Sequence, residues 1–371
     1  MEIIEPQKEF KSVLQKRNIY TKQDAGAIFL LAVIVPQIIG TFFVILLMTY
    51  STFMGKDYTQ ISNQTLPLIL LTAISQLCFV GIFFGYNGFM HINAKKACRI
   101  DFKVGATNMI FAICIGIIAL FGFNDLITSF DALLKLLGHT SASMPLPLDN
   151  GWWLCLNIFL LAVLPAIFEE LLFRGIILNG LRQYGKWTAI IVSALLFALI
   201  HGNIDQLIYP FLLGLIFAVI ADRTSSTVPT IFAHFVNNCT VIVINYLSTI
   251  NHASQSVTVD LKFVLLSILF AVLAGATIVG LLFCIKREAK VSKDDKQAAN
   301  QDDSTVNTIN QNDLAYFEKD DKQTANQDDS TVNTINQNDL AYFEKVQTKP
   351  NTCLWIGIAI GCIIWILNLI M

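Results

Sequence analysis

Charged residues are scarce over most of this 371-residue chain. Asp, Glu, Lys and Arg make up only 14% of it, and 22 of these 52 residues fall between Lys286 and Lys349. Soluble domains usually contain about 25% charged residues. Apolar residues account for 54% of the chain, and the mean hydropathy is +0.59. The composition excludes a water-soluble globular enzyme and predicts a protein embedded in a lipid bilayer.

Signatures of several other protein classes are also missing. The eight cysteines show no CxxC spacing and fall mostly within apolar runs, which argues against a disulfide framework or a cysteine-based zinc site. The net charge of -2 argues against a nucleic-acid partner. The chain contains no HExxH, GxSG or Gly-Asp pair. Three common protease signatures are therefore excluded.

Long apolar runs are what the chain does contain, and a run of about 18–25 residues can cross a bilayer. They predict an all-α, polytopic helical membrane bundle with nine spans. We expect a polar segment at 1–24, a membrane core at 25–285, a linker at 286–350 and a last span within 351–371. The predicted spans are Ala25–Thr49, Leu66–Met90, Gly105–Phe123, Gly151–Phe173, Trp187–His201, Leu207–Ile220, Pro229–Leu247, Phe263–Ile285 and Leu354–Ile370.

Basic residues predict the orientation, because cytoplasmic loops carry an excess of Lys and Arg. With nine spans and a cytoplasmic N-terminus, 22 of the 25 basic residues lie on the cytoplasmic side. The three exceptions are Lys56, Lys135 and Lys262. We therefore expect a multi-pass membrane protein with its C-terminus outside. The short basic loops favour a bacterial plasma membrane, with the endoplasmic reticulum as the alternative.

The predicted linker contains a tandem repeat of 26 residues. Asp294–Lys319 and Asp320–Lys345 differ only at Ala298 and Thr324. The unit is rich in Asn, Gln and Asp, so it cannot bury enough apolar surface to offset the entropy of ordering, which predicts disorder. Its Leu-Ala-Tyr-Phe motif is either a docking sequence displayed twice or part of a neutral duplication, and we favour the duplication.

Ionisable residues inside spans are costly and mark functional hypotheses. The fourth span carries Glu169 and Glu170, and Arg174 follows directly at its end. Glu170 and Arg174 are four residues apart with the acid first, so they share a helix face and can form a structural pair. Glu169 is rotated by about 100° and is left to point elsewhere.

Two further spans carry histidine at helical spacing. Phe197 and His201 are four residues apart, as are His234 and Asn238. A lone helical histidine is usually structural, but three polar motifs in this stretch predict a cluster of a carboxylate, two imidazoles and an amide. The other three histidines lie in loops or at span edges and are expected to be solvated.

Such a cluster suits peptide hydrolysis, since a desolvated carboxylate can act as a general base near neutral pH. The same groups are also ligands for a divalent metal such as zinc. The residues therefore leave open a metal site at Glu169, His201 and His234.

The three motifs resemble the signature motifs of the CPBP family of intramembrane proteases. This family includes the CAAX prenyl endopeptidases and the bacteriocin-processing or immunity-type Abi proteins. The motifs are Glu169-Glu170-x-x-x-Arg174, Phe197-x-x-x-His201 and His234-x-x-x-Asn238. The resemblance covers about residues 151–247. It implies a core of eight spans, to which this chain adds its linker and its ninth span.

The resemblance implies a role for each matched residue. Glu169 would activate water, His201 would help to hold or activate it, and His234 with Asn238 would stabilise the oxyanion. Glu170, Arg174 and Phe197 would support the site. Family members are described as metalloproteases, so zinc is the implied cofactor. The implied partners are the lipid bilayer and a membrane-bound peptide or protein, such as a CAAX substrate, a bacteriocin or a pheromone precursor.

Two other functions remain open at this stage. A proton-coupled transporter can use Glu and His as relays, but such proteins often contain internal repeats of their spans, and none is evident among these nine. A non-catalytic immunity or scaffold protein could retain the same residues in a binding pocket. Loss of cleavage on changing Glu169, with the fold intact, would distinguish a protease from both.

The predicted topology can be tested with reporter fusions placed after Lys293 and after Met371. The two reporters should lie on opposite sides of the membrane, because one predicted span separates them. Paired reporters active on either side of the membrane measure this directly. Signals from the same side would remove the ninth span.

Overall fold

The chain folds as a bundle of long helices in the computed structural model, which describes residues 17–62, 64–139, 148, 150–252, 258–286 and 350–370. The predicted all-α membrane fold is confirmed. The long helices are α1 (Lys22–Phe53), α2 (Thr65–Phe89), α3 (Ala106–Leu136), α4 (Gly151–Tyr184), α5 (Lys186–Leu199), α6 (Ile208–Thr224), α7 (Val228–Ile250), α8 (Leu261–Cys284) and α9 (Thr352–Ile370). Short helices occupy Tyr58–Ser62, Ala94–Ala97 and Ile204–Gln206.

Seven of the helices in the described ranges are long and apolar enough to cross a bilayer. Helices α5 and α9 are the shorter apolar ones. Each predicted span corresponds to one helix, although several helices extend beyond the predicted edges because polar residues continue the helical turns. The predicted linker, with its repeat, and most of the N-terminal segment lie outside the described residues.

The start of α1 is fixed by a reciprocal cap. The Asp24 carboxylate accepts a hydrogen bond from the Thr21 backbone N–H at 2.6 Å, and the Thr21 hydroxyl accepts one from the Asp24 N–H at 3.4 Å. This capping box satisfies N–H groups that a helix start leaves unpaired. Asp24 also binds Arg17 at 2.8 Å and accepts from the Tyr86 hydroxyl at 2.6 Å. The cap therefore ties α1 to the end of α2.

One end of the bundle, at which α1, α5, α7 and α9 begin, is named the basic end here. Asp222 at the end of α6 binds Arg182 at 2.8 Å and Lys186 at 2.6 Å. The Asn351 amide, next to α9, donates to the Lys22 carbonyl at 2.6 Å. These contacts fix the ends of α4, α5 and α6 together and place the start of α9 beside that of α1.

Helices α5 and α6 pack closely where Gly214 faces Ala194. A Cβ added at Gly214 would lie 2.9 Å from the Ala194 Cα and 3.0 Å from its Cβ. Both atoms belong to a rigid helix, so neither can move aside cheaply. The small residue allows the two helices to approach, as is common in membrane proteins.

We expect Gly214→Ala to lower the thermal unfolding temperature in detergent, because the added methyl group must push α5 and α6 apart. Gly275→Ala in α8 is the matched control, since no atom lies within 4 Å of a Cβ built there. Alanine at that control site should leave stability unchanged or raise it by up to about 1 kcal/mol. Equal effects of the two changes would contradict the packing argument.

Candidate active site

Helix α4 carries the first motif and is not a regular α-helix. Two π-helical turns, Phe159–Val163 and Leu171–Ile177, flank the α-helical stretch Leu164–Glu170. Such turns occur frequently at functional sites. The predicted span ended at Phe173, whereas the helix continues to Tyr184. The correction places Glu169 well inside the helix rather than near its end, because the buried apolar residues Ile176, Ile177 and Leu178 continue it past Arg174.

The second π turn packs against the segment between α2 and α3. The Cys98 thiol lies 3.9 Å from the Leu171 carbonyl oxygen and 3.2 Å from the Tyr20 hydroxyl. Burial raises the pKa of Cys98 to about 12, with the bond to Tyr20 acting in the opposite direction. The thiol therefore stays protonated and acts as a packing group. Gly175 allows this approach, because a Cβ there would lie 2.8 Å from the Cys98 sulfur.

Glu170 lies at the centre of a buried ionic group. Its Oε1 lies 2.7 Å from Arg174 Nη1 and 2.9 Å from His234 Nδ1. The predicted pair of Glu170 and Arg174 is therefore present. The link to His234 on α7 was not predicted, because the partners are 64 residues apart in sequence. One carboxylate thus joins α4 to α7.

This ionic group is almost completely removed from solvent. Glu170 is 0% exposed, Arg174 1% and His234 4%. Desolvating such charges costs several kcal/mol per ion, and only close pairing offsets it. Arg174 also lies over the Phe197 ring, with 4.3 Å from its guanidinium carbon to the ring centre. The aromatic face adds a cation–π attraction to the ionic contact.

The Phe197 ring lies between the polar groups of all three motifs. Its centre is 5.2 Å from the His201 ring and 6.1 Å from the His234 ring, in edge-to-face geometry. Phe173 packs on it at 5.1 Å. Only 2% of Phe197 is exposed. The residue therefore sets the spacing between the two imidazoles and the Arg174 guanidinium.

His201 lies two residues beyond Leu199, the last residue of α5, and bonds back onto that helix. Its Nδ1 lies 2.8 Å from the Phe197 carbonyl oxygen. A carbonyl only accepts hydrogen bonds, so Nδ1 must carry the proton. The neutral ring then presents the lone pair of Nε2, the atom that can accept a proton or orient a water molecule.

Glu169 differs sharply from its neighbour Glu170. It is 7% exposed. Within the described residues its carboxylate has no hydrogen-bond partner, although it interacts electrostatically with Arg174 and His201. The structure thus leaves Glu169 outside the Glu170–Arg174 pair, as the helical spacing predicts. Its catalytic role stays a prediction.

The amide groups on α7 have different partners. Asn238 donates to the Leu161 carbonyl oxygen at 3.0 Å, within the first π turn of α4. Asn237, which the sequence did not single out, is 1% exposed and donates to the Tyr209 hydroxyl at 2.6 Å. The i,i+3 spacing from His234 was the available signal for Asn237. Asn238 retains a second N–H for a bound group.

His139 is not solvated as expected. Its Nε2 lies 3.0 Å from Asp205 Oδ1, and the two side chains are 10% and 14% exposed. The prediction failed because Asp205 is distant in sequence and its position was unknown. The contact joins the end of α3 to the segment that follows His201.

The predicted metal ligands were Glu169, His201 and His234. The part of the chain that the structure describes contains no group of three or more His, Cys, Asp or Glu side chains placed to hold a metal ion. The residues therefore do not form a three-ligand site as they stand. The requirement for a metal stays a prediction.

Stability should separate the two adjacent carboxylates. Glu170→Gln removes the charge that Arg174 and His234 share, and breaking a buried pair typically costs about 3–5 kcal/mol. Glu169→Gln removes an equal charge that has no hydrogen-bond partner among the described residues. Thermal unfolding in detergent should therefore show a large loss for Glu170→Gln and little change for Glu169→Gln. Equal losses would contradict the assignment of the ionic group.

Comparisons with known proteins agree with the motifs. Residues 151–240 match the family model described as "Type II CAAX prenyl endopeptidase Rce1-like". A curated relative, "Putative membrane peptidase YdiL" of Bacillus subtilis (strain 168), is 27% identical over 123 residues. This match covers 33% of the present chain and 50% of the relative. No solved structure matches the chain.

The family match covers α4, α5, α6 and the first half of α7, the helices on which the three motifs lie. The curated relative shares only half of its length with this chain. Over residues 151–240 the chain is therefore similar to the type II CAAX prenyl endopeptidases, in the region that carries the three motifs.

Proposed function

We propose that the protein is an intramembrane endopeptidase that hydrolyses peptide bonds of membrane-associated peptides or proteins. The observation that carries the proposal is the unequal use of two adjacent carboxylates. Glu170 is bound by Arg174 and His234, whereas Glu169 is left without a hydrogen-bond partner among the described residues. A site with a purely structural role would need only the paired carboxylate of Glu170.

Glu169 acts as the general base. Its carboxylate takes a proton from a water molecule, and the resulting hydroxide attacks the carbonyl carbon of the scissile peptide bond. His201 Nε2 accepts a hydrogen bond from the second O–H of that water and so orients the molecule. The proton held by Glu169 then passes to the amide nitrogen as the C–N bond breaks. The products are a free carboxylate and a free amine.

His234 and Asn238 stabilise the oxyanion formed by this attack. Glu170 Oε1 lies 2.9 Å from His234 Nδ1 and holds the ring in place, and the proposed donor role of the ring requires a proton on Nε2. Asn238 supplies the N–H that Leu161 leaves unused. Preorganised donors of this kind typically contribute about 2.7–4 kcal/mol each to lowering the barrier.

The substrate carries an apolar portion, and the surface of the bundle supports this. An apolar groove of about 540 Å³ lies between α1 and α2, with Val35 and Ile82 among its walls. Phe83, next to Ile82, packs on Phe168 with ring centres 6.0 Å apart. Phe168 immediately precedes Glu169. CAAX-type proteins and bacteriocin or pheromone precursors are substrates of this chemical kind.

The orientation belongs to the same proposal. The distribution of 22 against 3 basic residues supports a cytoplasmic N-terminus, and the short basic loops support a bacterial plasma membrane. The basic end of the bundle then faces the cytoplasm.

The test is cleavage by the full chain reconstituted in liposomes with a mixture of membrane-anchored peptides. Fragments are identified by mass spectrometry. Glu169→Gln should lower the rate by about 100- to 10,000-fold, because the amide cannot accept the proton from water and general acid–base catalysis typically supplies a factor of this size. Asp57→Asn, an exposed carboxylate outside the site, is the matched control and should keep full activity.

The other outcomes point to the alternatives. Cleavage retained in Glu169→Gln would remove this residue as the base. No cleavage by wild-type protein, with Glu169-dependent proton uptake into the liposomes, would favour a transporter. Absence of both activities would favour an immunity or scaffold protein. Loss of cleavage with a chelator and recovery with zinc would support a requirement for a bound metal.

A further inference from the structure

Helix α9 lies against the site-bearing part of the bundle rather than apart from it. It packs closely on α1, where a Cβ at Gly357 would lie 2.8 Å from the Phe29 ring. Asn351 anchors its start by donating to the Lys22 carbonyl. Helix α9 therefore begins beside the start of α1 and runs in the same direction, from the basic end.

The far part of α9 reaches the end of α5. Trp365 Nε1 donates a hydrogen bond to the Leu199 carbonyl oxygen at 2.9 Å. Leu199 is the last residue of α5, and His201 lies two residues further on. The distances along α9 and α5 from the basic end agree with this contact. Trp365 is 14 residues from Asn351 and Leu199 is 13 residues from Lys186, or about 20 Å along each helix.

The bond from Trp365 satisfies a backbone group that the helix end leaves exposed. The last carbonyls of a helix lack intrahelical partners, and in a bilayer water is scarce. The Phe197 carbonyl is bound by the His201 ring, whereas the Leu199 carbonyl is bound by Gly202 N–H at 3.2 Å and by the indole. The turn that carries His201 is therefore held from α9 as well as from α5.

We propose that Trp365 is a positioning residue for the catalytic His201, and that α9 is a working part of the protease rather than an added anchor. The inference rests on the proposed proteolytic function. By fixing the Leu199 carbonyl, the indole holds the turn that aims His201 Nε2 at the water molecule. Misplacement of a catalytic group by about 1 Å can lower a rate about 100-fold.

The experiment compares Trp365→Phe with Trp355→Phe in the full reconstituted chain. Both changes remove an indole from α9, but Trp355 is 67% exposed and makes no described contact with α5. Trp365→Phe should lower kcat about 10- to 100-fold while KM changes less than twofold. It should also speed hydrogen exchange of the backbone amides at 200–202. Trp355→Phe should match wild type in both measurements.

The other possible results would overturn the proposal in different ways. Unchanged kcat and exchange in Trp365→Phe would overturn the proposal. A raised KM with unchanged kcat would also overturn it, because that pattern indicates substrate binding. Thermal unfolding should stay within about 2–4 °C of wild type, and a larger fall would make the residue merely structural. If wild-type protein shows no cleavage, the proposed function fails, and unchanged exchange would separately disprove the contact with the His201 turn.

Discussion

The arrangement of the site depends on one buried carboxylate that a guanidinium and an imidazole share inside the bundle. Glu170 binds Arg174 within α4 and His234 across on α7. Because burying these charges without partners would cost several kcal/mol each, the two helices must keep the register that brings them together. Phe197 of α5 packs against both His234 and Arg174 of this group. The ionic contact therefore fixes the motif residues of α4 relative to those of α7.

The part of the site that follows helical periodicity could be predicted from sequence. Apolar runs located the helices, and the i,i+4 rule gave the pair of Glu170 and Arg174 while separating Glu169 from it. All three motifs fall within about residues 151–247, which also indicated that they meet. These features depend on spacing within one helix, and spacing is what a sequence shows directly.

Features that depend on distant partners could not be predicted in this way. The π turns of α4 alter the helical register, and the residues of Leu171–Ile177 carry no sequence signal that predicts them. His139 was expected in solvent because its partner Asp205 is 66 positions away. Trp365 gave no signal either, since its bond is to a backbone carbonyl, which any residue can supply. The contacts of His139 and Trp365 require knowledge of which helices are neighbours.

The shortness of α5 has a consequence for the surrounding lipid. Its 14 residues extend about 21 Å, whereas the hydrocarbon core of a bilayer is about 30 Å thick. The turn with His201 thus ends at a depth where lipid tails would otherwise lie. Hydrophobic mismatch of this size favours local thinning of the leaflet on that side. The thickness of the host membrane therefore becomes a determinant of how much water reaches His201, independent of any residue in the chain.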